Sequence, residues 1–365
     1  MAKVKANETA ERARQRRLRV GKRIADANYG ALLVTDLKNV RYLTGFTGSN
    51  AVLLLRPDGS CVLGTDGRYT TQVRQQTGAP EDMEILIERD LFTALRERAV
   101  SDAGPFAVEP SLPVARAKSL GDPPILSGSV ERERLIKDDA EIDALRRAGH
   151  LADRVWTEFL AEGGLRAGRP EREAAADLEY RLRMAGADGL SFDTILASGA
   201  NGAKPHAGAS GDAILYGLVT VDFGVYVDGY ASDQTRSVSI DQPSALDAEI
   251  YDIVLRAQRA GVQLLAPGAR LRDIHQACVD VIEDAGYGPF FVHSTGHGVG
   301  LDVHEAPSAS GFVDPEETLQ EGMTLTVEPG IYLPGRTGVR LENTYVITPT
   351  GAESLNPSPL DLHVV

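Results

Sequence analysis

LVTVDFGVYVDGYASDQTRSVSI, residues 218–240, decides how the second half of this chain folds. Apolar and polar side chains alternate on either side of Asp228-Gly229, a dipeptide that supplies the left-handed backbone a two-residue hairpin turn needs. The stretch therefore predicts an antiparallel hairpin. Two acids sit inside it, Asp222 before the turn and Asp233 after it. An antiparallel pair can bring both onto one sheet face, and a carboxylate in so apolar a setting is costly unless a cation or metal meets it. The same anomaly recurs further on, with Glu328 inside TLTVEPGIYL (324–333) and Glu342 inside VRLENTYVIT (339–348). Taken singly, each of the four reads equally well as a surface acid on a strand.

Between these two regions lies FFVHSTGHGVGLDVHE (290–305), which places His293, His297 and His304 in one segment of a chain with seven histidines. Gly296, Gly298 and Gly300 bracket His297, so backbone can come close to whatever that imidazole contacts. Four carboxylates and one imidazole suit a pair of divalent cations, since the negative charges offset the metals and repel one another without them. Oxygen-rich ligation with a single imidazole suits Mn2+, Fe2+ or Co2+, and Zn2+ is a further alternative. Two ions so held can generate a nucleophile from water at neutral pH. No Lys-Ser/Thr follows HGVGLD, as a phosphate loop requires, and Ser294 lacks the G-x-S-x-G elbow of a serine hydrolase. His150 and His275 fall on predicted helices and read as structural; His363, in the tail, is assigned no role.

Two domains are expected for 365 residues. A formal net charge of −14 argues against a general nucleic-acid binder. Cys61 and Cys278 stand far apart in no metal-ligand spacing, which fits a reducing cytoplasm. No apolar run is long enough to span a bilayer, so no membrane partner is expected. The basic segment Arg12–Arg23, with Glu8 and Glu11 interrupting its charge, reads as a solvated first helix rather than a targeting peptide. ALLVT (31–35), AVLLLR (51–56), CVLGT (61–65), MEILIE (83–88) and FAVEP (106–110) predict strands of an α/β domain with a central sheet, and RYLTGFTGSN (41–50) a shaped loop. GDPPILSGSV (121–130) reads as the linker, which divides the chain into domains 1–127 and 128–365. Beyond it one long amphipathic helix is expected, running from about Arg132 until Gly163 and Gly164 stop it. A second follows Pro170, and two more cover 245–264 and 271–285. Helices with antiparallel strands make this an α+β domain.

The set VDFGVYVDGYASDQTR, HSTGHGVGLDVHE, VEPGIY and VRLENT resembles, in order and spacing, the proline-peptide-cleaving branch of the pita-bread metallopeptidases, aminopeptidase P and prolidase. YLTGFTGSN is similar to part of that family's N-terminal domain and RLIKDDAEIDALRRA to the start of its catalytic domain, so the resemblance covers most of the chain. It implies a dinuclear centre on Asp222, Asp233, His297, Glu328 and Glu342, with Asp233 and Glu342 bridging two divalent ions, Mn2+ in the first place. It implies His304 beside the scissile bond, His206 at the rim of the site, His293 lining it, and Tyr332 and Arg340 behind the ligands; catalysis is expected of His206, His304 and Glu328. Asn343 stands where many relatives carry aspartate.

Glu328 would pass a proton from water to the departing nitrogen, with His304 stabilising the oxyanion. A bond before proline is a tertiary amide without N–H, which makes a dedicated peptidase chemically sensible. The expected function is release of the N-terminal residue from peptides with proline at position two, by a cytoplasmic homodimer. Prolidase activity is the alternative, although Ser308 in HEAPSAS replaces an arginine that many prolidases use to read the substrate carboxylate. Arg336 is a candidate substitute. An inactive peptidase-like binding module, or a metal-independent hydrolase of the creatinase type, would lack ligands that are all present here.

Overall fold

The computed structural model describes residues 2–101 and 105–365, and of residues 2–9 (Glu8 among them) and 101 the backbone only. It divides into two units, Met1–Arg134 and Leu135–Val365. The stretch 121–130 belongs to the first: Ile125 bridges to Val108 in parallel and Val130 is buried.

The first unit is built on a sheet of β1 (Ala31–Val34), β2 (Ala51–Leu55), β3 (Cys61–Thr65), β4 (Met83–Ile87) and β5 (Phe106–Val108), in the order β4-β3-β2-β1-β5. β1, β2 and β3 are buried along their whole length, which is why they read as continuous apolar runs rather than alternating ones. The segment expected to be a loop, 41–50, is helical over its first part, in the helix Leu37–Thr44. Asp36 caps that helix by accepting from the N–H groups of Lys38 and Asn39, and Gly45 ends it in the left-handed conformation at φ 78°.

The first helix, Ala2–Asp26, departs from the solvated element expected. Arg17 is 0% exposed and donates to Asp82 Oδ2 (2.8 Å) and to the Leu43 and Gly59 carbonyls. Arg16 reaches the Tyr42 carbonyl at 3.2 Å. A guanidinium carries enough donors to be buried where carbonyls converge, so these charges anchor the helix.

In the second unit the expected long helix is broken. A short helix, Glu131–Arg134, ends in the first unit, and the main helix starts afresh at Asp139 and runs to Ala161. Asp138 is extended there and forms a capping box with Glu141, a stronger local signal than the apolar period running through it. Gly149 lies in this helix where a Cβ would collide with the Leu355 carbonyl. Gly149→Ala is therefore expected to destabilise the protein by about 1–3 kcal/mol despite alanine's better helix propensity. An unchanged or raised urea midpoint would contradict the close packing.

The strands are β6 (Gly189–Leu190), β7 (Ile195–Ser198), β8 (Gly217–Phe223), β9 (Val225–Val227), β10 (Tyr230–Ala231), β11 (Gln234–Ile240), β12 (Gly296–Gly298), β13 (Glu305–Ala309), β14 (Thr324–Val327), β15 (Gly330–Leu333), β16 (Thr337–Arg340), β17 (Asn343–Thr348) and β18 (Gly351–Ser354). They form sheets β11-β8-β7, β10-β9-β6, β14-β17-β18, β12-β13 and β15-β16. The hairpin 218–240 forms with Asp228 (φ 49°) and Gly229 (φ 74°) at its turn, and its base and tip fall in different sheets. At the bend, a side chain on Gly224 would strike the Ser232 carbonyl. Helices Ala245–Gln263 and Leu271–Asp284 bury Ile250, Val254 and Ile274 with Leu325, Val327 and Ile331. Helices Asp139–Ala161 and Glu171–Met184 bury Trp156, Phe159 and Leu178 with Val221 and Phe223. Apolar strand faces are thus spent on helices, and the remaining faces carry the acids.

Candidate active site

Asp222 lies near the end of β8 and pairs in register with Thr235 of β11, which places Asp233 one residue before that strand. Glu328 follows β14, His297 is the centre of β12, and Glu342 sits between β16 and β17. All five side chains line one cavity of about 830 Å3, together with His206, His293, His304 and Arg340. Tyr332, the remaining residue singled out in the sequence, bonds to two of them: its hydroxyl lies 3.0 Å from His293 Nε2 and accepts from Arg340 Nη1 at 2.8 Å.

The donor atoms converge in overlapping sets. Asp222, Asp233 and Glu342 form one group within 4.8 Å, and His297, Glu328 and Glu342 another; Asp233 also groups with His297 and His304. Glu342 is common to two sets and Asp233 spans two, the arrangement a pair of cations sharing ligands requires. His297 Nε2 stands 3.4 Å from Glu328 Oε1 and 3.6 Å from Asp233 Oδ2. Its Nδ1 faces the Gly298 carbonyl at 3.0 Å and must donate to it, so Nε2 offers a lone pair to the cluster.

Burial, then repulsion from Glu342 and the other acids, raises the Asp233 carboxyl well above its usual range. Burial and then Glu328 do the same for Glu342. Glu328 is pushed up to about 8, first by burial. Asp222 Oδ1 and Glu342 Oε1 are buried with no hydrogen-bond partner among the described residues. Orphaned carboxylate oxygens beside a histidine lone pair are what divalent metal satisfies, so the residues present fit the group.

Residues 143–349 match the model of metallopeptidase family M24, and residues 16–146 that of the creatinase/prolidase N-terminal domain. The chain belongs to the M24 family. It is 38% identical to the uncharacterized peptidase YqhT of Bacillus subtilis over 92% of this chain and 95% of that one. A Bacillus anthracis Xaa-Pro dipeptidase superposes with a TM-score of 0.91 at 35% identity, covering 97% of this chain and 100% of that one. An X-Pro aminopeptidase of Thermotoga maritima gives 0.83 at 34% identity, with coverage of 94% and 100%. The protein is thus an M24 metallopeptidase with a creatinase/prolidase-type N-terminal domain and a pita-bread catalytic unit, and divalent metal belongs to its chemistry.

Behind the M24 cluster, the structure joins Arg340, Tyr332 and His293, named from the sequence, to two residues that sequence reasoning missed, Thr235 and Thr326. Arg340 Nη2 donates to Asp222 Oδ2 (2.7 Å), and Thr235 Oγ1 donates to Glu342 Oε2 (2.7 Å). His293 Nδ1 donates to the Ser294 carbonyl (2.7 Å), so its Nε2 accepts from Tyr332, completing a chain Arg340–Tyr332–His293. Burial, then Arg340, lowers His293 to about 4, which keeps it neutral in that role. Thr326 Oγ1 accepts from His297 N at 2.9 Å and donates to Glu328 Oε1 at 3.3 Å, coupling two members of the cluster. Thr235 and Thr326 could be found only through strand register.

The glycines around His297 serve a different neighbour from the one expected. A Cβ at Gly296 would strike the Thr326 carbonyl, one at Gly298 the Ala306 carbonyl, and one at Gly300 the Glu305 carboxylate. They let the chain pack against itself. Glu305 is in turn held by the buried Lys137, Nζ to Oε1 2.8 Å, beside the loop that carries His304. The His304 ring lies 4.4 Å from that of His297, edge to face, and burial, then His297, lowers its pKa. Arg336, the candidate carboxylate reader, is exposed between β15 and β16 and lines no part of this cavity. Ser308 pairs with His297 across β12–β13.

Proposed function

We propose that the protein hydrolyses the Xaa-Pro bond of peptides with proline at position two. The five-residue donor cluster in a cavity of about 830 Å3 carries this reading. Asp222, Asp233, His297, Glu328 and Glu342 would hold two divalent ions, Mn2+ first among them on the hardness of the donor set. Such ions, when bound, lower the pKa of water toward about 7 and offset charge developing on the scissile carbonyl.

The chain's own groups do the rest. Glu328 accepts the proton of the attacking water and delivers it to the proline nitrogen, which departs as a secondary amine. His304 stands at the cluster to donate to the carbonyl oxygen as it gains charge. His206 contacts the substrate from the cavity wall. Arg340, fixed by Tyr332 and Thr235, holds Asp222 in place.

Two subclasses differ in where the substrate ends. Ser308 in place of a carboxylate-reading arginine, and Arg336 outside the cavity, favour removal of the N-terminal residue from longer peptides. Similarity to the Bacillus anthracis Xaa-Pro dipeptidase favours the dipeptide itself. Turnover of Ala-Pro against Ala-Pro-Yaa peptides of increasing length separates them. The first reading expects kcat/KM to rise from dipeptide to tripeptide and beyond; a fall at that step establishes the dipeptidase. Absence of hydrolysis across the whole manganese-supplemented series would refute both.

A further inference from the structure

Resting on the Xaa-Pro peptidase reading, we infer that Arg172 is the group in this cavity that recognises a substrate carboxylate. The cavity is lined by two arginines, Arg340 and Arg172. Arg340 is fully committed, to Asp222, Tyr332, Thr235 and the Pro205 carbonyl. Arg172, by contrast, is exposed and makes no side-chain hydrogen bond or ion pair among the described residues, although Asp193 and Glu179 line the same cavity. Glu179 is seven residues along the helix Glu171–Met184, roughly 10 Å of rise, outside the three- and four-residue spacings at which helix side chains pair.

The surroundings present this guanidinium to a ligand. Positions one turn on are Ala175 and Ala176, which line the cavity and leave the arginine stem uncovered. On its other side is Gly211, where a Cβ would stand 3.4 Å from Arg172 Nη1 and 3.5 Å from Cζ. The base is rigid. Neighbouring Glu171 is buried and accepts from Ser198 N (2.9 Å), Ser210 N (3.0 Å) and Asn201 Nδ2 (2.7 Å), and Arg172 N donates to the Ser210 carbonyl (2.9 Å). A planar cation on a fixed base, left unpaired in an acidic cavity, matches a carboxylate supplied from outside. A peptide can supply one from its C-terminus or from an acidic side chain on its N-terminal residue.

Two substrate pairs separate these sources: Ala-Pro against Ala-Pro-amide, and Glu-Pro-amide against Gln-Pro-amide. With the manganese-loaded enzyme, Arg172→Gln should lower the acid-to-neutral ratio of kcat/KM in one pair about fivefold to tenfold, through KM, the scale of a part-exposed charge-assisted contact. Arg172→Lys should restore part of the ratio, and Arg172→Glu should lower it further. A loss in the first pair assigns Arg172 to the chain end, and one in the second pair assigns it to the side chain. Ratios equal to wild type in both pairs, for the glutamine and glutamate variants alike, would overturn the inference while leaving the peptidase reading intact. If the wild type cleaved none of the four and no longer Ala-Pro-Yaa peptide, that reading would fall and this inference with it.

Discussion

Stripping divalent metal with a chelator is expected to abolish Xaa-Pro hydrolysis and to lower the melting temperature more at about pH 8 than at about pH 5.5. Asp233, Glu328 and Glu342 lie together, two of them buried and Glu328 mostly so, and burial is the first cause of the upward shift in all three. In the metal-free chain these acids hold their protons to higher pH when folded than when unfolded. Below the ordinary carboxyl range both states are protonated and the cluster is neutral in its effect. As pH rises through that range the unfolded chain releases protons that the folded chain keeps, so stability falls. The loss deepens until pH passes the folded value, about 8 for Glu328, and is then complete. Bound cations reverse the sign by stabilising the ionised carboxylates, and proton competition weakens their hold at low pH. Thermal unfolding with chelator and with excess manganese, at both pH values, measures the difference. A metal-induced rise in melting temperature that is equal at the two pH values, or larger at the acid one, would contradict the coupling.

Much of this centre was legible because a strand writes its two faces into the sequence with period two. Asp222 and Asp233 flank a turn dipeptide in an alternating stretch, and Glu328 and Glu342 interrupt apolar strands, so the cost of burying them was visible before any fold was known. Alternation gives a face but no partner. Thr235 reaches Glu342 only because β11 also meets the loop before β17, and Lys137 finds Glu305 across more than half of the second unit. Neither pairing has a local signature. Charge was misread for a related reason: Arg16 and Arg17 look like solvent-facing residues, and only the carbonyls of distant loops turn them into anchors. The 41–50 segment does not show its helix because the Asp36 cap that starts that helix lies outside it.

Glu328→Gln should lower kcat about 100- to 10,000-fold at saturating manganese, the range expected when a proton-transfer group is lost. The substitution keeps shape and leaves Thr326 Oγ1 a carbonyl oxygen to donate to, so the fold has no reason to fail. It also removes a buried acid that the metal-free chain must protonate on folding near neutral pH, from a cluster in which Glu328 raises both Asp233 and Glu342. The metal-free variant should therefore melt at or above the metal-free wild type near neutral pH, which is opposite in sign to its effect on activity. A weaker ligand set also lowers metal affinity, and a loss of rate from an empty site would imitate a loss of proton transfer. Titrating manganese separates them: weaker binding shifts the half-saturating concentration and restores kcat at the plateau, whereas loss of the proton carrier leaves the plateau low. A plateau within threefold of wild type would remove Glu328 from proton transfer and leave it a ligand only. A low plateau in a variant that binds manganese and melts no earlier than wild type would make the same carboxylate both the tether of the metal and the carrier of the proton.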